Sequence, residues 1–105
     1  MATVTIANNA TESDALNVGA IGQVVVGIVT PATLTGVAFT FKASVDGSTY
    51  VPVYDTSGSA YTVTVSTSRY IPLPPATFAG ITYLKVVSGS TEGGSRIITV
   101  VTRPI

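Results

Sequence analysis

Val37-Ala-Phe-Thr-Phe-Lys-Ala-Ser-Val45, then Asp46-Gly47, then Tyr50-Val-Pro-Val-Tyr54, is the stretch that decides the fold class. Along the first run Val37, Phe39, Phe41, Ala43 and Val45 fall on one side of an extended chain. Ala38, Thr40, Lys42 and Ser44 fall on the other. A period of two specifies a strand with one buried face. Asp-Gly is the strongest short hairpin signal, because both residues accept positive φ. Tyr50 to Tyr54 is then the returning strand. Pro52 has no amide hydrogen to give to a ladder, so this strand belongs at a sheet edge or a bulge.

The same alternation extends in both directions. Thr3 to Ala7 reads as a first strand, and Gln23 to Val29 is a continuous apolar run suited to a strand covered on both faces. Ala60 to Ser66, Arg69 to Leu73, Ile81 to Ser88 and Arg96 to Arg103 complete the set, with Asp55-Thr-Ser-Gly58 and Ser66-Thr-Ser68 as turns. Pro74 to Gly80 reads as irregular, Gly89 to Ser95 as a flexible loop, and the glycine-rich Val18 to Gly22 has no clear assignment.

Composition agrees with the pattern. The chain has 16 Val, 17 Thr and 8 Ile, so 41 of its 105 residues are β-branched, and these side chains fit a pleated surface better than a helix. No segment repeats apolar residues at helical spacing over three turns. The expectation is an all-β chain without helix: a single small antiparallel β-sandwich, jelly-roll-like, of about eight strands. The sandwich would span residues 23–105. Residues 1–22 would form an N-terminal strand and an extended arm.

What is missing narrows the chemistry. There is no His and no Cys, hence no imidazole base, no Ser-His-Asp triad, no thiol nucleophile, no disulfide framework and no zinc knuckle. Five basic and five acidic residues give a formal net charge of +0, which argues against nucleic-acid binding. Arg69, Arg96 and Arg103 are too scattered to line a groove for it. Mean hydropathy is high, at +0.53. Even so, the longest apolar run, Gln23 to Val29, is far short of the roughly 20 residues of a spanning helix, and Met1 to Ile6 lacks the features of a signal peptide. A protein made in a cytoplasm, with no membrane partner, is the expectation.

The remaining candidates for chemistry are weak. Asp46 and Asp55 sit at the two ends of one hairpin arm, and both read as turn residues whose side chains bond the local backbone. Asp55-Thr-Ser-Gly58 matches the aspartic-protease tripeptide in letters. It stands once, in a polar turn, where such enzymes need two copies with apolar flanks. The loops at Asp46 and Glu92 do not supply the acids that calcium requires, and Glu92 reads as a solvated loop residue. No catalytic residue and no cofactor is expected. Tyr50 and Tyr54, flanking Pro52, are the aromatic residues best placed for exposure; they suit a subunit contact or, as the alternative, a sugar-binding surface of a receptor- or glycan-binding module. Only 10% of residues are charged, against about 25–35% on freely soluble surfaces. A Thr-rich, weakly charged exterior points to one covered by neighbours, in a closed homo-oligomer or a larger assembly.

Leu34 to Asp55, Tyr61 to Val65, Arg69-Tyr-Ile-Pro-Leu73, Pro75 to Val87 and Arg96 to Arg103 together resemble the short proteins encoded beside the major capsid protein of tailed bacteriophages. These are head decoration, or cement, proteins. The similarity covers residues 34–103 and rests on hydrophobic spacing and turns. It implies a β-sandwich, often a trimer, bound to the virion's outer capsid surface. There it would clamp neighbouring major capsid protein subunits against internal DNA pressure. The family carries no catalytic residue to transfer. On this reading the interface residues are Tyr50, Pro52, Tyr54, Pro74, Pro75 and Phe78, with the N-terminal arm and the loop Gly89 to Ser95 as further contacts.

Overall fold

A computed structural model of the chain describes residues 2–19 and 22–104. Met1, Ile105 and two residues of the unassigned glycine-rich stretch, Ala20 and Ile21, lie outside the described residues. The elements in order are β1 (Ala2–Ile6), β2 (Leu16–Asn17), β3 (Gln23–Val29), β4 (Ala38–Ser44), β5 (Val51–Pro52), β6 (Val63–Thr64), β7 (Tyr70–Pro72), α1 (Pro75–Phe78), β8 (Tyr83–Ser88) and β9 (Arg96–Pro104). One sheet has the order β1-β9-β3-β7. The other runs β2-β8-β4-β5, with β6 also on β4. Every named pairing is antiparallel.

The chain passes between the sheets at every connection between strands except β4 to β5 and β5 to β6. Strands β1, β3, β7 and β9 belong to one sheet, and β2, β4, β5 and β8 to the other. That is the double wrapping of a jelly roll, in which consecutive strands face each other across the core. The core is the region between the inner faces. Val4, Ile6, Val25, Ile28, Ile98 and Val100 come from the first sheet, and Phe39, Phe41, Leu84 and Val86 from the second, all buried. Their cross-strand partners agree in facing: Ile98 lies opposite Val4, Val100 opposite Ile28, and Phe41 opposite Val86.

Four local expectations change. The inward face of β4 holds at Phe39 and Phe41 but not at its ends, where Val37 and Val45 are exposed. The strand stops at Ala38 and Ser44, so both valines lie where the chain has left the sheet. The hairpin after β4 forms, but Ala43 pairs with Val51 and Lys42 with Pro52, which leaves a loop longer than a two-residue turn. Asp46 accounts for the extra length, since its side chain bonds amides further along. Gly47 takes φ +82 there, a conformation suited to glycine. As expected, β5 with Pro52 sits at a sheet edge.

The third change is a single helical turn, Pro75–Phe78, in a segment expected to be irregular. Pro75 stands in the first turn, where its missing amide hydrogen costs nothing and its fixed φ favours helix. The fourth concerns the N-terminal segment. Its described residues are built into the sandwich rather than extended as an arm. Strand β1 pairs with β9 along its whole length, and Leu16 and Asn17 pair with Leu84 and Tyr83. Between them the Ser13 amide donates to the Val86 carbonyl at 2.9 Å. Val18 is buried.

Candidate binding surfaces

The two sheets turn different outer faces to the surroundings. On the second sheet Lys42 lies directly opposite Lys85. Two like charges facing each other across strands repel. Glu12, from the segment lying along β8, resolves the conflict. Its carboxylate meets Lys42 Nζ at 2.9 Å through one oxygen and Lys85 Nζ at 3.2 Å through the other. The Lys42 bond, then the Lys85 bond, hold the Glu12 carboxyl below its usual range. Lys85 also sits over the Tyr50 ring, 4.5 Å from its centroid. This face is charged, and its charges are paired within the chain.

The outer face of the first sheet is built differently. Thr3 and Thr5 of β1 lie beside Thr99 and Ile97 of β9. Val29 follows on β3, opposite Thr99 on one side and Tyr70 on the other. Ile97 and Tyr70 are large exposed side chains. Charge lies at its margins, with Arg103 at the far end of β9 and Asp14 at the β1 edge, where its carboxylate accepts from the Thr5 amide at 2.8 Å. The result is a threonine and valine surface without a central charge.

The six interface residues expected from sequence separate into two groups. Pro52, Pro74 and Pro75 are exposed, Tyr54 is 58% exposed, and Tyr50 is half-buried beneath Lys85. Phe78 belongs to the core and not to a surface, with 0% exposure. The turn of α1 directs it inward, where it meets Phe41 edge-on at 5.2 Å and Tyr61 at 5.7 Å between ring centroids. Burial raises the pKa of the Tyr61 hydroxyl. Tyr54, with Asp55, Thr56, Ala76 and Thr77, lines a cleft of about 420 Å³.

Both hairpin aspartates are turn residues, as their positions predict. Asp55 Oδ1 accepts from the Ser57 amide and hydroxyl and from the Ser59 amide. The Ser57 hydroxyl and the Ser59 amide lower its pKa. Asp46 Oδ1 accepts from the Ser44 hydroxyl at 2.9 Å and from the Ser48 and Thr49 amides at 2.8 and 3.0 Å. The Thr49 amide first, then the Ser48 amide and the Ser44 hydroxyl, bring the Asp46 carboxyl down to about 2. Ser44, buried beneath the loop, accepts in turn from the Gly47 amide at 2.8 Å.

Sequence reasoning missed the role of Glu92. It was expected as a solvated loop residue and is fully buried, at 0% exposure. Oε1 accepts from the Thr35 amide at 2.8 Å and from Arg96 Nε at 2.9 Å. Oε2 accepts from the Gly36 amide at 2.8 Å and the Ser88 hydroxyl at 2.7 Å. Burial alone would raise this carboxyl, but these four donors outweigh it and hold it at about 2. The available signal was an acid four residues before an arginine, in a loop otherwise made of glycine, serine and threonine. Glu92 thereby fastens the Gly89 to Ser95 loop to the entry of β4.

Among the described residues no group of three or more potential metal ligands comes together. Nor does any helix among them have the length and apolarity to cross a membrane. Comparison with protein-family models, curated proteins and solved structures finds no match for this chain.

Proposed function

We propose that the chain is a structural, non-enzymatic decoration protein of a tailed-bacteriophage head. It binds the outside of the capsid, joins neighbouring major capsid protein subunits, and acts as a homo-oligomer, most simply a trimer. The sequence resemblance over residues 34–103 suggests the class. The observation that carries the reading is the outer face of the β1-β9-β3-β7 sheet, where Thr5, Ile97, Thr99, Val29 and Tyr70 form an uncharged surface. The opposite sheet satisfies its own charges through Glu12. A contact made by the uncharged face desolvates no ion, whereas covering an unpaired charge is costly. An assembly protein that packs one face against neighbours and leaves the other in water has this asymmetry.

The test is cosedimentation with empty heads assembled from the neighbouring major capsid protein. Saturable binding at a fixed ratio to capsid subunits is expected. A chain that stays in the supernatant at micromolar concentration contradicts the proposal.

One observation favours a second reading, a receptor- or glycan-binding module of a phage fibre or tail. Tyr54 is exposed beside a cleft lined by Asp55, Thr56 and Thr77, an aromatic ring with polar groups around it. Tyr50, covered by Lys85, contributes no second stacking platform. A glycan array distinguishes the two readings: saturable sugar binding lost in Tyr54→Ala supports the module and opposes the cement role.

A further inference from the structure

At the tip of the β4–β5 hairpin lies a second cleft, of about 510 Å³, lined by Ala43, Ser44, Val45, Asp46, Thr49, Val51, Gly80 and Ile81. Two features set it apart from the surrounding surface. Its walls hold large apolar side chains in water, with Val45 84% and Val51 56% exposed. Its rim carries one carboxylate, Asp46, whose position is fixed. Three donors converge on Oδ1, and no hydrogen bond to Oδ2 is found among the described residues. The ion pairs among the described residues involve Glu12 and Glu92, not Asp46. Asp46 is therefore an oriented anion without a cation, beside an apolar trough.

We propose that this cleft seats one lysine side chain from the surface of a protein partner, its aliphatic stem on Val45, Val51 and Ile81 and its ammonium on Asp46 Oδ2. The chemistry selects the occupant. A purely apolar side chain leaves the carboxylate unmatched, and an anion is repelled by it. A lysine has four methylenes for the trough and a compact cation for the rim. Arginine gains most from two parallel bonds to a carboxylate, and here one oxygen is already committed to the loop. The hydrogen bonds that hold Oδ1 also keep Asp46 ionised well into acid, so the site stays anionic at neutral pH. The inference stands on the cleft and does not depend on which protein supplies the lysine.

The probe is the tripeptide Gly-Lys-Gly with both termini blocked, followed through the methyl NMR signals of Val45, Val51 and Ile81. Saturable shifts confined to these methyls are expected. The same peptide with norleucine in place of lysine should bind more weakly. The decisive variant is Asp46→Asn. Its side-chain oxygen can still accept from Ser44, Ser48 and Thr49, so the loop is retained while the charge is lost. Binding should weaken about fivefold, the scale of one ion pair at a surface. Unchanged signals from β4 and β8 confirm that the variant is folded. Absence of saturable shifts at the three methyls overturns the proposal. So does equal binding of the norleucine peptide, or equal binding by Asp46→Asn.

Discussion

Glu92 Oε2 accepts the backbone amide of Gly36 at 2.8 Å, joining two loops 56 residues apart in sequence. The approach requires a residue without a side chain. A Cβ on Gly36 would lie 2.1 Å from Ser88 Oγ and 3.1 Å from Glu92 Oε2. The carboxylate and its hydroxyl partner therefore occupy the space that any other residue at position 36 would need.

Gly36→Ala should lower unfolding stability by about 2–3 kcal/mol, through overpacking and loss of a bond to a buried charge. Denaturant unfolding checks it. A variant as stable as the parent contradicts the packing described around Glu92.

Acid should weaken the fold through the same residue. The folded-state pKa of Glu92 is about 2 against an ordinary 4.5, so its contribution is complete above pH 4.5 and is lost as pH falls towards 2. The full effect is on the order of 3 kcal/mol. Glu92→Gln should be less stable at neutral pH and should show a flatter stability profile between these limits. Parallel profiles for parent and variant would show that Glu92 does not govern acid sensitivity.

The Phe78 ring should behave as core. Phe78→Ala should cost about 3–5 kcal/mol, the range for removing a buried phenylalanine. Pro74→Ala, at an exposed position, should change stability by less than about 0.5 kcal/mol. Similar small effects for both would place Phe78 on the surface after all.

Much of the fold was legible in the sequence because its signals are local. Alternation, Asp-Gly and proline position depend on neighbours along the chain, and they located β3, β4, β8 and β9 to within a few residues. The larger misses involve distant contacts, whereas the longer β4–β5 loop follows from a local one, Asp46 bonding the Ser48 and Thr49 amides. Nothing in Pro74 to Gly80 shows that Phe78 has Phe41 and Tyr61 to turn towards. Residues 8–19 read as an arm because their partners, Val86 and Leu84, lie some 70 residues further on. Glu92 read as solvated because its four donors come from three separate segments. Phe78 reads as an interface residue because its residue type does not distinguish a ring that stacks inward from one facing water.

The ion pairs of Glu12 should matter modestly and depend on salt. Glu12→Gln leaves Lys42 and Lys85 opposed, and should cost about 1 kcal/mol at low ionic strength and less in 1 M salt. A loss independent of salt would mean that the carboxylate acts through packing rather than charge.

The uncharged outer face can be tested without disturbing the core. Ile97→Lys introduces a cation beside Thr5 and Thr99 at an exposed position. Thermal stability of the isolated chain should change little. Association, whether with itself or with capsid, should fall by at least tenfold, since a buried unpaired charge costs well over 1.4 kcal/mol. Undiminished association would move the contact to another face.

Electron cryomicroscopy of heads assembled from the neighbouring major capsid protein, with and without the chain, tests the central claim most directly. The account predicts added density on the outer surface, at junctions between capsid subunits, that accommodates a sandwich of 33 × 28 × 24 Å with its β1-β9-β3-β7 sheet turned towards a neighbour. Heads identical with and without the chain, under saturating concentrations, would contradict it.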